Sequence, residues 1–328
     1  MDELQHAYAG LGPATVLDAV DARGYHTSGH LLALNSYENR VYQIGLEDAG
    51  FLVAKFYRPE RWPEAAIREE HAFCSELFEA EIPVVAPLAD DNGETLFSFE
   101  GFRYALYPRR GGRWPELDNP DNLEWLGRYL GRVHNVGQTR PFAHRPRLDV
   151  QSFGSDACRF LLVAGFIPPY LELAYRTLTE DLLAQIQAAY AAAGDIDDLR
   201  LHGDFHPGNI LWTEAGPHFV DLDDCRTGPA VQDLWMLLSG ERGEMTLALS
   251  EIIEGYELFR DFNRRELVLI EALRTLRMLH YAAWLARRWD DPAFHQAFPW
   301  FNTDRYWEEH ILGLREQAAA MNEPPLSV

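Results

Sequence analysis

The chain has 328 residues, enough to bury roughly three quarters of the surface that its unfolded form would expose, and this length predicts about two lobes or domains. With 47% hydrophobic, 24% charged and 12% aromatic residues, its composition excludes a disordered chain. The formal net charge of -22 argues against a nucleic-acid partner, because a phosphate backbone would be repelled and the sequence shows no local basic stripe.

The sequence lacks the signals of a secreted or membrane-spanning protein. Its three cysteines, Cys74, Cys158 and Cys225, are odd in number and far apart, which favours a reducing compartment over a disulfide framework. The first residues, MDELQHAYAGLG, are acidic and have no apolar core, so we predict no secretory signal. The apolar stretch ELVLIEALRTLRMLHYAAWLARRW carries charges at helical intervals and is too polar to cross a bilayer. We therefore expect a cytoplasmic protein with no membrane contact.

The first third of the chain predicts an antiparallel sheet with one inserted helix. Apolar and polar residues alternate in four segments that form two hairpins, one turning at residues 47–50 and the other at Glu100-Gly101. The segments are RVYQIGL, GFLVAKFYR, ETLFSF and FRYALY. Between the hairpins, AAIREEHAFCSELFEA has apolar residues at helical spacing and leads into IPVVAPLA, which has the pattern of a strand.

After LYPRRGGR the pattern becomes helical. Asn119 and Pro120 predict a helix start, because asparagine can accept an unpaired N–H and proline lacks the donor that would be unpaired there. Thr177 and Glu180 predict a capping box for a later helix that ends at Gly194. The last residues, NEPPLSV, are expected to be a frayed tail.

These elements predict an α+β, bilobal fold. The first lobe, residues 1–107, holds an antiparallel sheet with one helix. The second lobe, residues 108–328, is mainly helical.

The stretch LHGDFHPGNILW contains the residues that decide the chemistry. His202, Asp204 and His206 alternate as on a strand and could bind zinc. A hydrolytic zinc site needs further ligands nearby, however, and the alternation ends at Pro207-Gly208. The zinc interpretation is therefore the weaker one.

The same residues match the catalytic loop of kinases, H-R-D-x-x-x-x-N, more closely than they match a zinc site. Asp204 is followed at the required spacing by Asn209, and the hairpin within NILWTEAGPHFVDLDD then leads to Asp221. Asn209 and Asp221 would hold Mg²⁺ against the phosphates of ATP, while Asp204 accepts the proton of the attacking hydroxyl. Asp223 and Asp224 follow closely, and either could instead be a solvated carboxylate in a turn.

The first lobe supplies the other expected parts of a nucleotide site. Lys55 lies within a predicted strand among apolar residues, and a helix carboxylate is expected to pair with it. Glu70 is the favoured partner, and the neighbouring Glu69 is the alternative. No G-x-G-x-x-G loop is present; in LNSYENRVYQ, Ser36 and Asn39 could bind phosphate instead, or the segment could be only a polar turn.

Together these residues resemble the aminoglycoside phosphotransferase and choline kinase superfamily, whose hallmark is H-G-D-x-x-x-x-N followed by a strand and an acidic turn. Over nearly the whole chain, the sequence is similar to the stress response kinase A family of bacterial protein serine/threonine kinases. The segments that carry this likeness are LNSYENRVYQ, VAKFYRPERW, RLHGDFHPGNILW, VDLDDCRTGPAVQDLWMLL and LARRWDDPAFHQAFPW.

The resemblance implies a role for each matching residue. Asp204 would be the proton acceptor, Asn209 and Asp221 the magnesium ligands with Asp221 also essential for catalysis, and Ser36 a residue of the ATP site. Asp233 would be a buried aspartate that holds the catalytic loop. The implied fold is the two-lobed fold of protein kinases, with a nucleotide-binding sheet and helix in residues 1–107 and the catalytic loop, the metal site and the acceptor site in residues 108–328. The implied activity is Mg²⁺-dependent transfer of phosphate from ATP to serine or threonine hydroxyls of proteins, in a response to envelope or oxidative stress.

The phosphate acceptor stays open at this point. The alternative to a protein kinase is a kinase of small hydroxylated metabolites such as aminoglycosides, choline or homoserine, and a non-catalytic nucleotide-binding module is a third interpretation. The aromatic residues of WDDPAFHQAFPWFN either wall the acceptor side or pack in the core. We expect a monomer.

Overall fold

The computed structural model describes residues 7–48 and 50–328. The fold divides into two compact units, each assembled from three separate stretches of the chain. The first unit comprises the described part of Met1–Pro115 together with Phe142–Arg145 and Pro207–Cys225. The second comprises Glu116–Pro141, Pro146–His206 and Arg226–Val328. The lobe boundary placed after residue 107 stays a prediction.

An antiparallel sheet of five strands, in the order β1-β2-β3-β5-β4, dominates the first unit. Its strands are β1 (Thr27–Ala33), β2 (Arg40–Leu46), β3 (Phe51–Phe56), β4 (Phe97–Phe99) and β5 (Phe102–Pro108). Two helices accompany the sheet, α1 (Pro13–Asp21) and α2 (Glu64–Glu79). The antiparallel sheet and the helix between its two predicted hairpins are thus confirmed. The predicted turn at residues 47–50 includes Ala49, which lies outside the described residues, as do the first six residues of the segment MDELQHAYAGLG.

The central strand β3 separates a hydrophobic core from a buried lysine. Leu52, Ala54 and Phe56 point to one side of the sheet and pack into a core with α1. Side chains alternate along a strand, so Lys55 points to the opposite side, where α2 lies. Phe56 also stacks on Tyr104 of β5, with ring centroids 5.1 Å apart. The packing of Leu52, Ala54 and Phe56 in the core therefore fixes the direction in which Lys55 points.

The first unit also contains a short hairpin of β7 (Ile210–Thr213) and β8 (Gly216–Phe219). One-turn 3₁₀ segments precede and follow it, at Pro207–Asn209 and Leu222–Asp224. The predicted strand IPVVAPLA is wrong, since only Val84 forms a bridge, parallel to Phe219. Its prolines lack the N–H groups that a longer ladder needs.

The second unit is mainly helical, so the predicted α+β class is confirmed. Its helices are α3 (Pro120–Gln138), α4 (Asp156–Val163), α5 (Glu172–Ala193), α6 (Val231–Trp235), α7 (Arg242–Glu257), α8 (Ile270–Arg287), α9 (Pro292–Ala297) and α10 (Asp304–Ala320). A single π-helical turn spans Gln151–Ser155 and a 3₁₀ segment spans Arg264–Leu269. Two short strands, β6 (Leu199–Leu201) and β9 (Arg226–Gly228), pair antiparallel.

The predicted helix signals had mixed outcomes. The side chain of Asn119 accepts the Asp121 N–H at 3.0 Å and caps α3, as predicted. The capping box at Thr177 is wrong, because α5 begins at Glu172. The Thr177 hydroxyl instead donates to the carbonyl of Leu173 four residues earlier, as threonines inside helices do.

The C-terminal tail is not frayed, contrary to the prediction. Leu326 is buried, and the Arg242 guanidinium donates to the carbonyl oxygens of Pro324 and Pro325. Prolines leave the carbonyls of such a segment without neighbouring N–H partners, and an arginine with several donors satisfies two of them at once.

Across residues 7–48 and 50–328, the helices are all too short or too polar to pass through a bilayer.

Candidate active site

Three carboxylates surround the Lys55 amine in the first unit. Its Nζ lies 3.3 Å from Glu70 Oε1, 3.0 Å from Asp221 Oδ1 and 3.4 Å from Asp223 Oδ1. Burial alone would lower the pKa of Lys55, but Asp221, Asp223 and Glu70 together raise it well above its ordinary value. The lysine is therefore a fixed positive charge at a point where α2, β3 and the segment after β8 meet.

The two acidic residues of α2 have different partners. Glu70 is buried and contacts Lys55, and its burial raises its pKa although the lysine charge opposes this. The Glu69 carboxylate instead accepts the backbone N–H groups of residues 143–145, at 2.6 to 2.8 Å. Burial would raise the pKa of Glu69, but these three hydrogen bonds lower it. Of the two candidates, Glu70 thus lies beside the lysine, while Glu69 anchors a loop.

Arg61 ties together the acidic residues around this lysine. Its guanidinium contacts the Asp223 carboxylate and donates to Asp224 Oδ1 at 2.9 Å. Its Nε lies 3.8 Å from Glu38 Oε1, and its guanidinium lies 5.1 Å from the centre of the Trp62 ring. Burial would raise the pKa of Asp223, but Arg61 and Lys55 lower it, so this carboxylate stays ionised. Asp223 is therefore a buried anion between two cations, not a solvated turn residue.

A second arginine, Arg145, fastens the same turn from the chain segment 142–145. Its Nε donates to the Cys225 carbonyl at 2.9 Å, and its Nη2 donates to the Asp223 carbonyl. The guanidinium also lies over the Trp62 ring, 4.3 Å from its centre. Sequence reasoning did not identify Arg61 or Arg145. The only signal available for Arg61 was its place in the segment VAKFYRPERW, which carries part of the family likeness.

The β7–β8 hairpin brings Asn209 and Asp221 to the same end. The pair Ile210–Phe219 closes the ladder, and the Val220 N–H donates to the Asn209 carbonyl at 3.0 Å. Asp221 then adopts a left-handed backbone with φ of 60°, a strained conformation that is enriched at functional sites. Its side chain is 50% exposed. An amide and a carboxylate oxygen at the mouth of such a turn suit Mg²⁺, which prefers oxygen ligands and keeps several waters.

The loop between β1 and β2 holds Ser36. Three residues later, Asn39 is buried and its side-chain oxygen accepts the Arg58 N–H at 3.1 Å. Glu38 lies 3.1 Å from Arg58 Nε. The side chains of Glu38 and Asn39 thus fix the loop to the chain at the end of β3. The role of Ser36 at the nucleotide stays a prediction.

In the second unit, Asp204 is held from both sides. Its Oδ1 accepts a hydrogen bond from Arg277 Nη1 of α8 at 2.5 Å, and its Oδ2 lies 3.4 Å from His206 Nε2. Asp233 is fully buried and accepts the backbone N–H groups of His202 at 3.0 Å and Gly203 at 2.9 Å. This is the arrangement that the resemblance implies for Asp233. Two buried hydrogen bonds thus fix the backbone directly before Asp204.

The zinc interpretation finds no support in the part of the chain that the structure describes. Across residues 7–48 and 50–328, no group of three or more His, Cys, Asp and Glu side chains is placed to bind a metal ion. His202 is buried, and its ring packs edge-to-face on Phe205, with centroids 5.3 Å apart.

Comparison with known proteins identifies the family. A model of the phosphotransferase enzyme family matches residues 30–268. The chain belongs to this family. It is also 46% identical to stress response kinase A of Escherichia coli K12, across all of this chain and 99% of the relative. A Salmonella typhimurium protein named serine/threonine protein kinase RdoA has the same identity and coverage. At this similarity the chain is also a member of the stress response kinase A family.

Solved structures of the wider family share the fold. An amicoumacin kinase in complex with AMP-PNP and Ca²⁺ has a TM-score of 0.71 at 18% identity, covering 94% of each chain. A microcompartment-associated aminopropanol kinase has a TM-score of 0.66 at 19% identity, covering 92% of this chain and 96% of the other. Membership of these families establishes that the chain is an ATP-dependent kinase.

Glu266, a buried glutamate that contacts the start of α6, makes the stability of this kinase depend on pH. Glu266 accepts the Val231 N–H at 2.8 Å, and burial raises the pKa of Glu266 to about 7 from an ordinary value of 4.5. Between these two values the folded chain binds more protons than the unfolded chain. The free energy of unfolding therefore falls as the pH rises from 4.5 to 7, by at most about 3 kcal/mol.

Replacing this residue, in Glu266→Gln, is expected to remove that part of the pH dependence while keeping an acceptor for the Val231 N–H. Urea unfolding of both proteins at several pH values between 5 and 7.5 measures the effect. If the variant loses stability across this range as steeply as the original chain, Glu266 is not the group that titrates.

Proposed function

We propose that this chain is a Mg²⁺-dependent serine/threonine protein kinase that acts in a bacterial stress response. The relatives that are 46% identical carry the names stress response kinase A and serine/threonine protein kinase RdoA. The observation that carries the proposal is the grouping of Lys55, Glu70 and Asp221 in the first unit, with Asn209 at the same end of the β7–β8 hairpin.

Each residue has one task in the proposed reaction. Lys55, held by Glu70, contacts the phosphates of ATP, and Ser36 contributes polar groups to the nucleotide from the β1–β2 loop. Asn209 and Asp221 hold Mg²⁺, which when bound offsets the charge of the phosphate oxygens.

Asp204 acts on the acceptor in this proposal. It accepts the hydroxyl proton while the acceptor oxygen forms a bond to the γ-phosphorus, and the bond from that phosphorus to the β,γ-bridging oxygen breaks to release ADP. Arg277 and the backbone fixed by Asp233 hold the Asp204 carboxylate in one orientation before the acceptor binds. Such prior positioning reduces the loss of entropy on reaching the transition state.

A small-molecule hydroxyl kinase is the second candidate. The observation that favours it is the fold shared with kinases named for amicoumacin and aminopropanol. Transfer of radiolabel from γ-labelled ATP separates the two, with whole-cell protein as one acceptor pool and the metabolites below 3 kDa of the same cells as the other. We expect label on serine and threonine of proteins. Label found only on metabolites would overturn the protein-kinase proposal.

The metal proposal makes its own prediction. Asn209→Ala removes one of the two proposed ligands, so we expect the Mg²⁺ concentration for half-maximal activity to rise by about tenfold or more. The Michaelis constant for ATP measured at saturating Mg²⁺ should change far less. As a matched control, Asn322→Ala changes an exposed asparagine of the second unit that bonds only locally to Ala318. An unchanged Mg²⁺ dependence in Asn209→Ala would remove Asn209 from the metal site.

A further inference from the structure

One face of α8 carries a row of side chains, and the first of them contacts Asp204. Arg277, which bonds Asp204, is followed on the same face of the helix by Tyr281 and Trp284, four and seven residues later. The Tyr281 and Trp284 rings stack, with centroids 5.6 Å apart and planes within 18°. The helix thus carries a cation and then an aromatic pair away from the proposed proton acceptor.

The aromatic part of this row continues onto the segment after α9. Trp284 packs edge-to-face on Phe298, at 5.9 Å, and Phe298 packs in the same way on Trp300, at 5.8 Å. Phe298 is buried, whereas Tyr281 is 40% exposed and Trp300 is 46% exposed. The aromatic residues predicted either to wall the acceptor side or to fill the core therefore divide, with Phe298 in the core and Trp300 at the surface.

We call Arg277, Tyr281, Trp284 and Trp300 the α8 surface, and we propose that it binds the acceptor as an extended protein segment. The segment has a carboxylate beside the acceptor hydroxyl and a large aromatic side chain two or three residues away from it. This inference rests on the proposed protein-kinase function and names the class of protein sequence that is phosphorylated.

The spacing along α8 sets where the aromatic side chain binds. With a rise of about 1.5 Å per residue, Tyr281 lies roughly 6 Å and Trp284 roughly 10 Å along the helix from Arg277. An extended peptide advances about 3.3 Å per residue and its successive side chains point to opposite sides, so either the second or the third residue from the acceptor faces the rings. The rings of Tyr281 and Trp284, with Trp300 joined to Trp284 through Phe298, form a surface long enough to contact several residues of a chain, and this length favours a chain over a metabolite.

The charge of Arg277 selects the residue next to the acceptor. When the acceptor hydroxyl bonds Asp204, it competes for the oxygen that Arg277 now contacts. The guanidinium has five N–H donors in a planar fork that matches a carboxylate, so a neighbouring Asp or Glu of the acceptor can take the donors that are released. The overall charge of the chain is -22, so an acidic segment binds here only because this arginine is local.

The test uses a positional-scanning library of synthetic peptides with a central serine or threonine, phosphorylated by the full chain with ATP and Mg²⁺. We expect selection for Phe, Tyr or Trp two or three residues from the centre on one side, and for Asp or Glu next to the centre. The quantity compared between variants is the ratio of kcat/KM for an aromatic peptide over its alanine counterpart. This ratio cancels any general loss of activity.

Tyr281→Ser and Trp300→Ser should each lower the aromatic-to-alanine ratio by about 3- to 10-fold, the range expected for one lost aromatic contact. The matched control is Trp125→Ser, which changes another exposed tryptophan of the second unit, on α3, and should leave the ratio unchanged.

Arg277→Gln should lower the preference for Asp over Ala beside the acceptor, and Arg277→Glu should shift that preference toward Lys. Peptides phosphorylated with equal ratios by all these variants would overturn the α8 surface and leave the protein-kinase proposal standing. An original chain that phosphorylates metabolites and no peptide or protein would overturn both.

Discussion

Replacing Asp204 by asparagine is expected to lower kcat for phosphoryl transfer by about 10²- to 10⁴-fold, the range for loss of a general base. Asparagine has nearly the same shape, and its side-chain oxygen can still accept the Arg277 hydrogen bond. What it cannot do is accept the proton of the acceptor hydroxyl. The Michaelis constant for ATP should therefore change little, and the loss should fall on kcat.

Steady-state kinetics with the peptide or protein acceptor measure this effect. Asp197→Asn is the matched control, because Asp197 is an exposed aspartate of the same unit whose carboxylate lies 3.4 Å from Arg260. We expect its kcat to be unchanged. A less than tenfold loss in Asp204→Asn would show that another group accepts the proton.

Arg61→Met is expected to lower the free energy of unfolding by about 3–5 kcal/mol, because removing one partner leaves the buried Asp223 carboxylate poorly compensated. The exposed fraction of the side chain is 10% for Arg61 and 4% for Asp223. Methionine keeps much of the volume of arginine, so the loss arises mainly from charge. Urea denaturation followed by fluorescence gives the difference.

Two further variants separate charge from packing. Arg68→Met removes an exposed arginine that pairs with Glu64 and Glu94 on α2 and nearby, and it should cost less than about 1 kcal/mol. Adding Asp223→Asn to Arg61→Met removes the uncompensated charge, so the double variant should lose less stability than the two single losses added together. Equal unfolding midpoints for Arg61→Met and Arg68→Met would contradict the buried pair.

Local patterns predicted those parts of the fold whose causes are local. Strand β2 was predicted with its observed bounds, because alternation of apolar and polar residues extends over all of RVYQIGL. The start of α3 was predicted because Asn119 and Pro120 form a cap on their own. The strand predicted in IPVVAPLA is absent because its prolines lack N–H groups for a ladder, and the hydrophobic pattern used for the prediction takes no account of those missing donors. The docked tail was missed because its partner, Arg242, lies about 80 residues away in sequence.

The candidate site divides in the same way. Lys55, Asn209 and Asp221 were chosen from spacing and residue type, and the structure places all three in the first unit. Glu70 could be separated from Glu69 only by the loop of residues 143–145, whose backbone occupies Glu69. Arg61 and Arg145 have no motif of their own, because their function as counter-charges arises only when distant segments meet. Asp204 was identified by the catalytic-loop pattern, but nothing in that pattern indicates Arg277 on a helix 73 residues later.

The segmented make-up of the first unit has a consequence for synthesis on the ribosome. Its sheet lies within the first 115 residues, yet Arg145 and the stretch Pro207–Cys225 belong to the same unit. At about 5–20 residues per second, the ribosome needs several seconds or more to deliver these late stretches. Until then, the nascent chain holds Glu70 and Lys55 without Asp221, Asp223 or Arg145, so the ion network can close only after most of the polypeptide has left the exit tunnel.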